Sequence, residues 1–260
     1  MIAANLRVIA SLGARSVKQT LRRPQLISPI IIFPTLLLAV QTGGAGRAID
    51  LPQFPQVHGF LDFMLAGAMM QSVLLAANSG GIALAVDIEM GFTDRLLAAP
   101  VPRFTIVLGR LAGTAVLGAL SAAWFLAIGL IFGAQIEQGV LGALLVIALV
   151  TASAVAFGGI GAAIALRTGK ASVVQGLFPL VFVILFLSSA FFPEQLILEP
   201  AKAVAQVNPL SLIVEGVRDP VISSLTVSNL WQAVAAIAGI AAFSTWLSAR
   251  ALRYRLRTGG

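Results

Sequence analysis

DIEMGFTDRLLAAPVPR, residues 87–103, holds three of the ten acidic groups of a 260-residue chain and stands between two long apolar runs. Those runs decide the fold. One covers about residues 60–86 and the other about 104–132, and each exceeds the roughly 20 apolar residues that cross a bilayer as a helix. Composition agrees. The chain is 58% hydrophobic and 10% charged, with a mean hydropathy of +0.98, whereas soluble domains are about 45–50% apolar. We read an all-α integral membrane protein with no room for a separate soluble domain.

Outward from the connector, further apolar runs lie at about 28–40, 140–166, 173–192 and 230–249, which makes six expected spans. Ser28 and Pro29 are expected to open the first span, Pro34 to kink it, and the Gly- and Pro-rich stretch 41–59 to form a loop. The first two dozen residues are too basic for a signal peptide. At 100° per residue Arg7, Ser11, Arg15, Lys18 and Arg22 fall within an arc of about 80°. That pattern predicts an interfacial helix with its cations toward water and anionic lipid.

Fourteen of the 17 basic residues fall on the side of the termini and connector; only Arg47, Lys202 and Arg218 fall on the other. The positive-inside rule therefore places both termini in the cytoplasm. The net charge of +7 is thus a topology signal, and nucleic acid is not an expected partner. Trp231 and Trp246 bracket the last span about 22 Å apart, as interfacial rings do. The chain divides into an interfacial helix (1–24), spans one to five (28–192), an outer segment (193–229), span six (230–249) and a basic tail (250–260), all one domain.

The connector itself is expected to be a short helix over 87–99. Asp87 suits its N-cap, Glu89 its first turn and Arg95 its last, where the helix dipole favours those charges. Ile88, Phe92 and Leu96 make an apolar stripe, and Ala99 before Pro100 ends the helix. Late in the chain, NPLSLIVEGVRDPVI (208–222) predicts a second helix. It starts at Asn208 and Pro209 and stops at Asp219 and Pro220, with Leu210, Ile213, Val214 and Val217 on one face and Ser211, Glu215 and Arg218 on the other.

These two stretches resemble the membrane subunits of type-2 ABC exporters, which include drug-resistance and lipid or polysaccharide permeases. The pattern is acidic-x-Glu-x-Gly, acidic-Arg-Leu-Leu and Pro-Val-x-Arg. It is carried by Asp87, Glu89, Gly91, Asp94, Arg95, Leu96, Leu97, Pro100, Val101 and Arg103, with LGR following at 108–110. Phe92 stands where a small polar residue is common. The resemblance implies that this segment is a coupling helix for two separate ATPase subunits, which would bind ATP and Mg, and that the permease pairs with a second permease subunit. It also implies that the segment around Asn208, Pro209, Glu215 and Arg218 forms re-entrant outer helices that help close an exit.

Other motifs fall away. RTGKAS (167–172) is no phosphate loop, because Ile164 and Ala171 occupy places that need Gly and Ser or Thr. NSGG (78–81) lies inside a span. The chain has no cysteine and its single histidine, His58, is in a polar loop, so no catalytic or metal-ligating constellation is expected. Gln71 and Asn78, with Ser72 and Ser79, share a face of the second span, and Ser188 and Ser189 lie near the end of the fifth. Such groups suit either interhelical hydrogen bonds or a substrate pathway. Arg110 is expected to snorkel to the cytoplasmic interface. The expected function is export of a hydrophobic or amphipathic compound; the rival class, a secondary transporter or channel, usually embeds ionisable groups along its path.

Overall fold

The computed structural model describes residues 2–92, 103–222 and 225–258, and these are helical with short connections. The helices are α1 (Ile2–Leu21), α2 (Pro24–Ala45), α3 (Phe60–Glu89), α4 (Arg103–Ile131), α5 (Gly139–Thr168), α6 (Ala171–Gly176), α7 (Phe178–Phe186), α8 (Ala201–Val207), α9 (Pro209–Ile222) and α10 (Val227–Thr258). Among the described residues, five helices are long and apolar enough to cross a membrane: α2, α3, α4, α5 and α10.

α3 is the central post. Its sequence is apolar on every side, and a helix of that kind is buried all round. It packs against α2, α4, α5, α6, α7 and α9. Its crossing with α5 is close because both helices present glycine there: a Cβ on Gly81 would stand 3.0 Å from the Gly161 backbone. Small residues at such crossings let backbones approach within van der Waals range. By contrast α2 and α10 leave Ile32, Leu36, Val40, Trp231, Phe243 and Trp246 exposed, as helices at a lipid boundary do.

Several sequence expectations shift. α2 starts at Pro24, not at Ser28 and Pro29, because proline at the first helical position lacks only an N–H that has no helical partner. It then continues through Pro29 and Pro34 to Ala45, so part of the expected loop is helix. Pro34 has no N–H to give the Ile30 carbonyl. The Ser72 hydroxyl of α3 donates to that carbonyl instead, at 2.8 Å. A neighbouring helix thus supplies the donor that proline removes, which lets the α2 backbone stay satisfied away from water.

The expected fifth span, 173–192, is broken into α6 and α7. Gly176 weakens the helix, and Pro179 cannot donate to the carbonyl four residues earlier, so the chain resets at Leu177. Ser188 and Ser189 fall in the turn that follows. The helix expected to stop at Asp219 and Pro220 runs on to Ile222. Where six spans are expected, the described residues thus show five long apolar helices and one interrupted pair, too short to count as a sixth.

α1 keeps Arg7, Ser11, Arg15, Lys18 and Arg22 exposed, as its charge pattern predicts. Its buried face is a row of small residues, Gly13, Ser16 and Thr20, set against Gly109 and Gly113 of α4. The apolar residues opposite the cations, Ile9 and Val17, are only half-buried.

Candidate functional site

The connector leaves α3 at a junction of four helices. Asp87, expected to cap a new helix, is instead in the last turn of α3 and 3% exposed. Its Oδ2 lies 2.9 Å from Nη1 of Arg110 on α4, and the same Nη1 donates to Gln19 Oε1 of α1 at 2.8 Å. The Ser16 hydroxyl of α1 donates to the Arg110 carbonyl at 3.0 Å. Arg110 therefore ties three helices together; it does not simply reach back to an interface. Glu89 is likewise not in the first turn of a connector helix. Its Oε1 accepts the Ala171 N–H at 2.9 Å and holds the start of α6.

α3 ends one step later. Gly91 has φ +68°, a left-handed conformation that glycine adopts without a Cβ clash, and its N–H donates to the Ile88 carbonyl at 2.9 Å. Phe92 follows, with the Arg15 guanidinium 3.5 Å above its ring, so α1 touches the root of the connector. Asp94, Arg95, Leu96, Leu97 and Pro100 lie outside the described residues. Arg103 opens α4. The two helices that flank the segment in the chain, α3 and α4, are joined by the Asp87–Arg110 pair.

The second constellation surrounds α9. Asn208 and Pro209 start it as the sequence predicts: Asn208 Oδ1 accepts the Leu210 N–H at 3.0 Å. Its Nδ2 also donates to the carbonyls of Ile184 and Leu187, at 2.8 and 3.1 Å, which closes the end of α7. One side chain caps two helices. Glu215 Oε1 accepts from Arg218 Nη1 at 2.6 Å and from the Ser189 hydroxyl at 2.7 Å. Arg218 is 2% exposed; its Nε donates to the Phe63 carbonyl at 3.3 Å and its Nη2 to those of Ser189 and Ala190 at 2.9 and 3.3 Å. The Phe63 ring lies 3.8 Å from its guanidinium carbon. Both faces of α9 are packed: Ser211 and Arg218 of the polar face are buried along with the apolar one, and the guanidinium finds enough acceptors to be buried among protein groups.

The four polar residues considered for a pathway separate. The Ser188 hydroxyl donates to the Leu185 carbonyl at 2.5 Å, and Ser189 donates its hydroxyl to Glu215 and its N–H to the Ser211 hydroxyl oxygen at 3.1 Å. Gln71 is 1% exposed with neither amide atom hydrogen-bonded. Asn78 opens onto a cavity of about 230 Å³ between α3, α5, α6 and α7, lined otherwise by apolar residues such as Leu74, Phe157, Ile164 and Val181. Sequence reasoning missed the Asp87–Arg110 pair, though the signal was present: an acid and a base at the facing ends of successive spans, each too deep to be solvated cheaply.

The family described as ABC-2 type transporter matches residues 7–222. The chain belongs to that family. The match begins within α1 and ends at the last residue of α9, so both constellations of this ABC-2 permease fall inside it, and α10 lies beyond. No curated protein is significantly similar to the chain. As a membrane component of an ABC transporter, the permease is a transport protein and not itself catalytic.

Proposed function

We propose that the chain is the permease subunit of an ATP-driven exporter in the plasma membrane, carrying a hydrophobic or amphipathic compound such as a drug, antibiotic or lipid outward. The family match carries this reading. ATP and Mg bind to two separate ATPase subunits, and the permease pairs with a second permease subunit, identical or related. Segment 87–103 is the coupling element: its root is fixed to α1, α4 and α6 through Arg15, Arg110 and Ala171, so a push on it is delivered to several helices at once. The Asn208, Pro209, Glu215 and Arg218 cluster holds the outer exit, and Asn78 and Gln71 are the polar points on the path. The apolar cavity beside Asn78 supports an apolar cargo.

The test is transport in reconstituted vesicles containing the permease and its ATPase subunits. Uptake of amphipathic dyes into inverted vesicles should require ATP hydrolysis and persist when ion gradients are collapsed. Uptake driven by an ion gradient without ATPase subunits would support a secondary transporter instead.

Topology gives a further prediction, simplified by the absence of native cysteine. Single cysteines at Ala14, Ala98 and Gly259 should react with a membrane-impermeant thiol reagent only after the cytoplasmic face is opened. Those at Gly44 and Ala203 should react in intact cells. Labelling of Ala98→Cys from outside would remove the basis for coupling.

A further inference from the structure

The last helix carries a stripe that the transport reading does not use. Phe243, Trp246, Arg250, Arg253 and Arg257 are all exposed on α10 and, with Tyr254, fall within an arc of about 100° at helical spacing. The stripe changes from aromatic to basic along its length. Phe243 and Trp246 stack with ring centroids 6.0 Å apart and are 53% and 52% exposed. One turn on, Arg167 from the end of α5 joins Trp246, Arg250, Arg253, Tyr254 and Arg257 around a cleft of about 480 Å³.

This cleft concentrates positive charge without compensation. Arg167, Arg250, Arg253 and Arg257 make no ion pair with any described carboxylate. Two of them lie over aromatic rings, Arg167 over Tyr254 at 4.4 Å and Arg250 over Trp246 at 5.7 Å. Such contacts orient a guanidinium and leave its N–H groups available. The C-terminal dipole of α10 favours cations there, yet four guanidinium groups around one cleft still repel each other. An anion with several acceptor oxygens relieves that repulsion, and phosphate matches the guanidinium fork.

We propose that the cleft binds the phosphate headgroup of an anionic phospholipid, with its acyl chains along Trp246 and Phe243. Depth argues for a lipid over a soluble anion. Arg250 and Arg253 belong to the final turns of the span Val227–Arg255, so the cationic rim sits where that helix leaves the apolar layer. Directly below it the exposed rings offer an apolar, lipid-facing surface. A phosphodiester headgroup joined to acyl chains meets both parts together; inorganic phosphate or a nucleotide meets only the first.

The site is independent of the transport reading, and its test needs no transport. The full-length protein, delipidated in detergent, is offered equal amounts of phosphatidylglycerol and phosphatidylcholine, and bound lipid is counted by native mass spectrometry. Phosphatidylglycerol should be retained selectively. Arg250→Gln, Arg253→Gln and Arg257→Gln combined should reduce that retention by on the order of 10- to 100-fold. Arg7→Gln, Lys18→Gln and Arg22→Gln combined remove equal charge from α1 and the turn after it and should reduce retention far less, because those cations attract anionic lipid without a cleft to hold it. All six side chains are exposed, and matched melting temperatures verify that both variants are folded. Equal losses in the two variants would reduce the effect to net charge and overturn the site. So would equal retention of the two lipids, or displacement of phosphatidylglycerol by millimolar inorganic phosphate or ATP, which would make it a soluble-anion site.

Discussion

Arg218→Leu should destabilise the folded protein by about 3–5 kcal/mol, the usual range when one partner of a buried charge network is removed. The guanidinium serves the carbonyls of Phe63, Ser189 and Ala190 as well as Glu215. Leucine would take a donor from each of them, and every buried acceptor left unsatisfied costs roughly 1–3 kcal/mol before relaxation. Neighbouring packing gives little room to adapt: a Cβ on Gly67 of α3 would collide with the Ala190 carbonyl oxygen. Arg218→Lys should also be harmful, because one ammonium cannot reach acceptors spread around a planar fork. Glu215→Gln should be much milder. Its amide oxygen still accepts from Ser189 and Arg218, and the Glu215 side chain is 37% exposed. Thermal unfolding in detergent, followed by light scattering, ranks the three variants. Arg218→Leu melting like the parent would show that the network is dispensable.

The second large effect is expected at the connector's root. Asp87 and Arg110 have side chains only 5% and 11% exposed. Asp87→Leu should strand the guanidinium and Arg110→Met the carboxylate, each costing about 3–5 kcal/mol. Substituting both removes the two charges together and should recover most of the loss, since a buried pair replaced by apolar residues of similar size is often neutral. The coupling between the sites in a double-mutant cycle should therefore be at least about 3 kcal/mol, at or above the top of the range usual for contacting residues. Additive losses would mean that the two side chains act separately. Gln19→Leu, which removes only the contact from α1, should cost less than either single charge substitution.

How much of this was legible in the sequence depended on whether the deciding partner was local. The basic stripe of α1 follows from spacing alone. Asn208 before Pro209 likewise marks a helix start, since the side-chain oxygen reaches an N–H only two residues away. The long apolar runs were equally plain, as every backbone group in a bilayer must be satisfied within the segment. Faces were harder to read. In water, polarity separates the outside of a helix from its inside, but lipid and protein interior are both apolar. The α3 sequence is apolar all round, but so are those of α2 and α5, so this property alone does not single out the central helix, nor does the α10 sequence say that one side faces outward.

Charged positions misled for a related reason. Asp87 and Glu89 suit a helix start by the dipole rule, yet they form the last turn of α3, where Arg110 and the Ala171 N–H come within reach only after folding. Spacing places Arg218 on the polar face of an amphipathic helix and says nothing of its partners. Its acceptors at Phe63, Ser189 and Ala190 come from segments 28 to 155 residues away. The broken run at 173–192 was legible in principle, from Gly176 and Pro179, but its high hydropathy hid the break.

These placements also decide which connector variants are informative. Glu89→Ala would release α6, and Gly91→Leu would strain a backbone at φ +68°, so neither isolates docking. Arg95→Ala removes one cation in the middle of the connector and is the cleaner probe. The most direct measurement is ATP hydrolysis and substrate export by Arg95→Ala, assayed together in vesicles that contain permease and ATPase subunits at matched abundance. The account predicts normal insertion and melting temperature with export reduced on the order of tenfold or more, because ATPase binding is weakened or hydrolysis proceeds without transport. Unchanged export with normal ATPase association would contradict it and leave residues 87–103 as an ordinary loop.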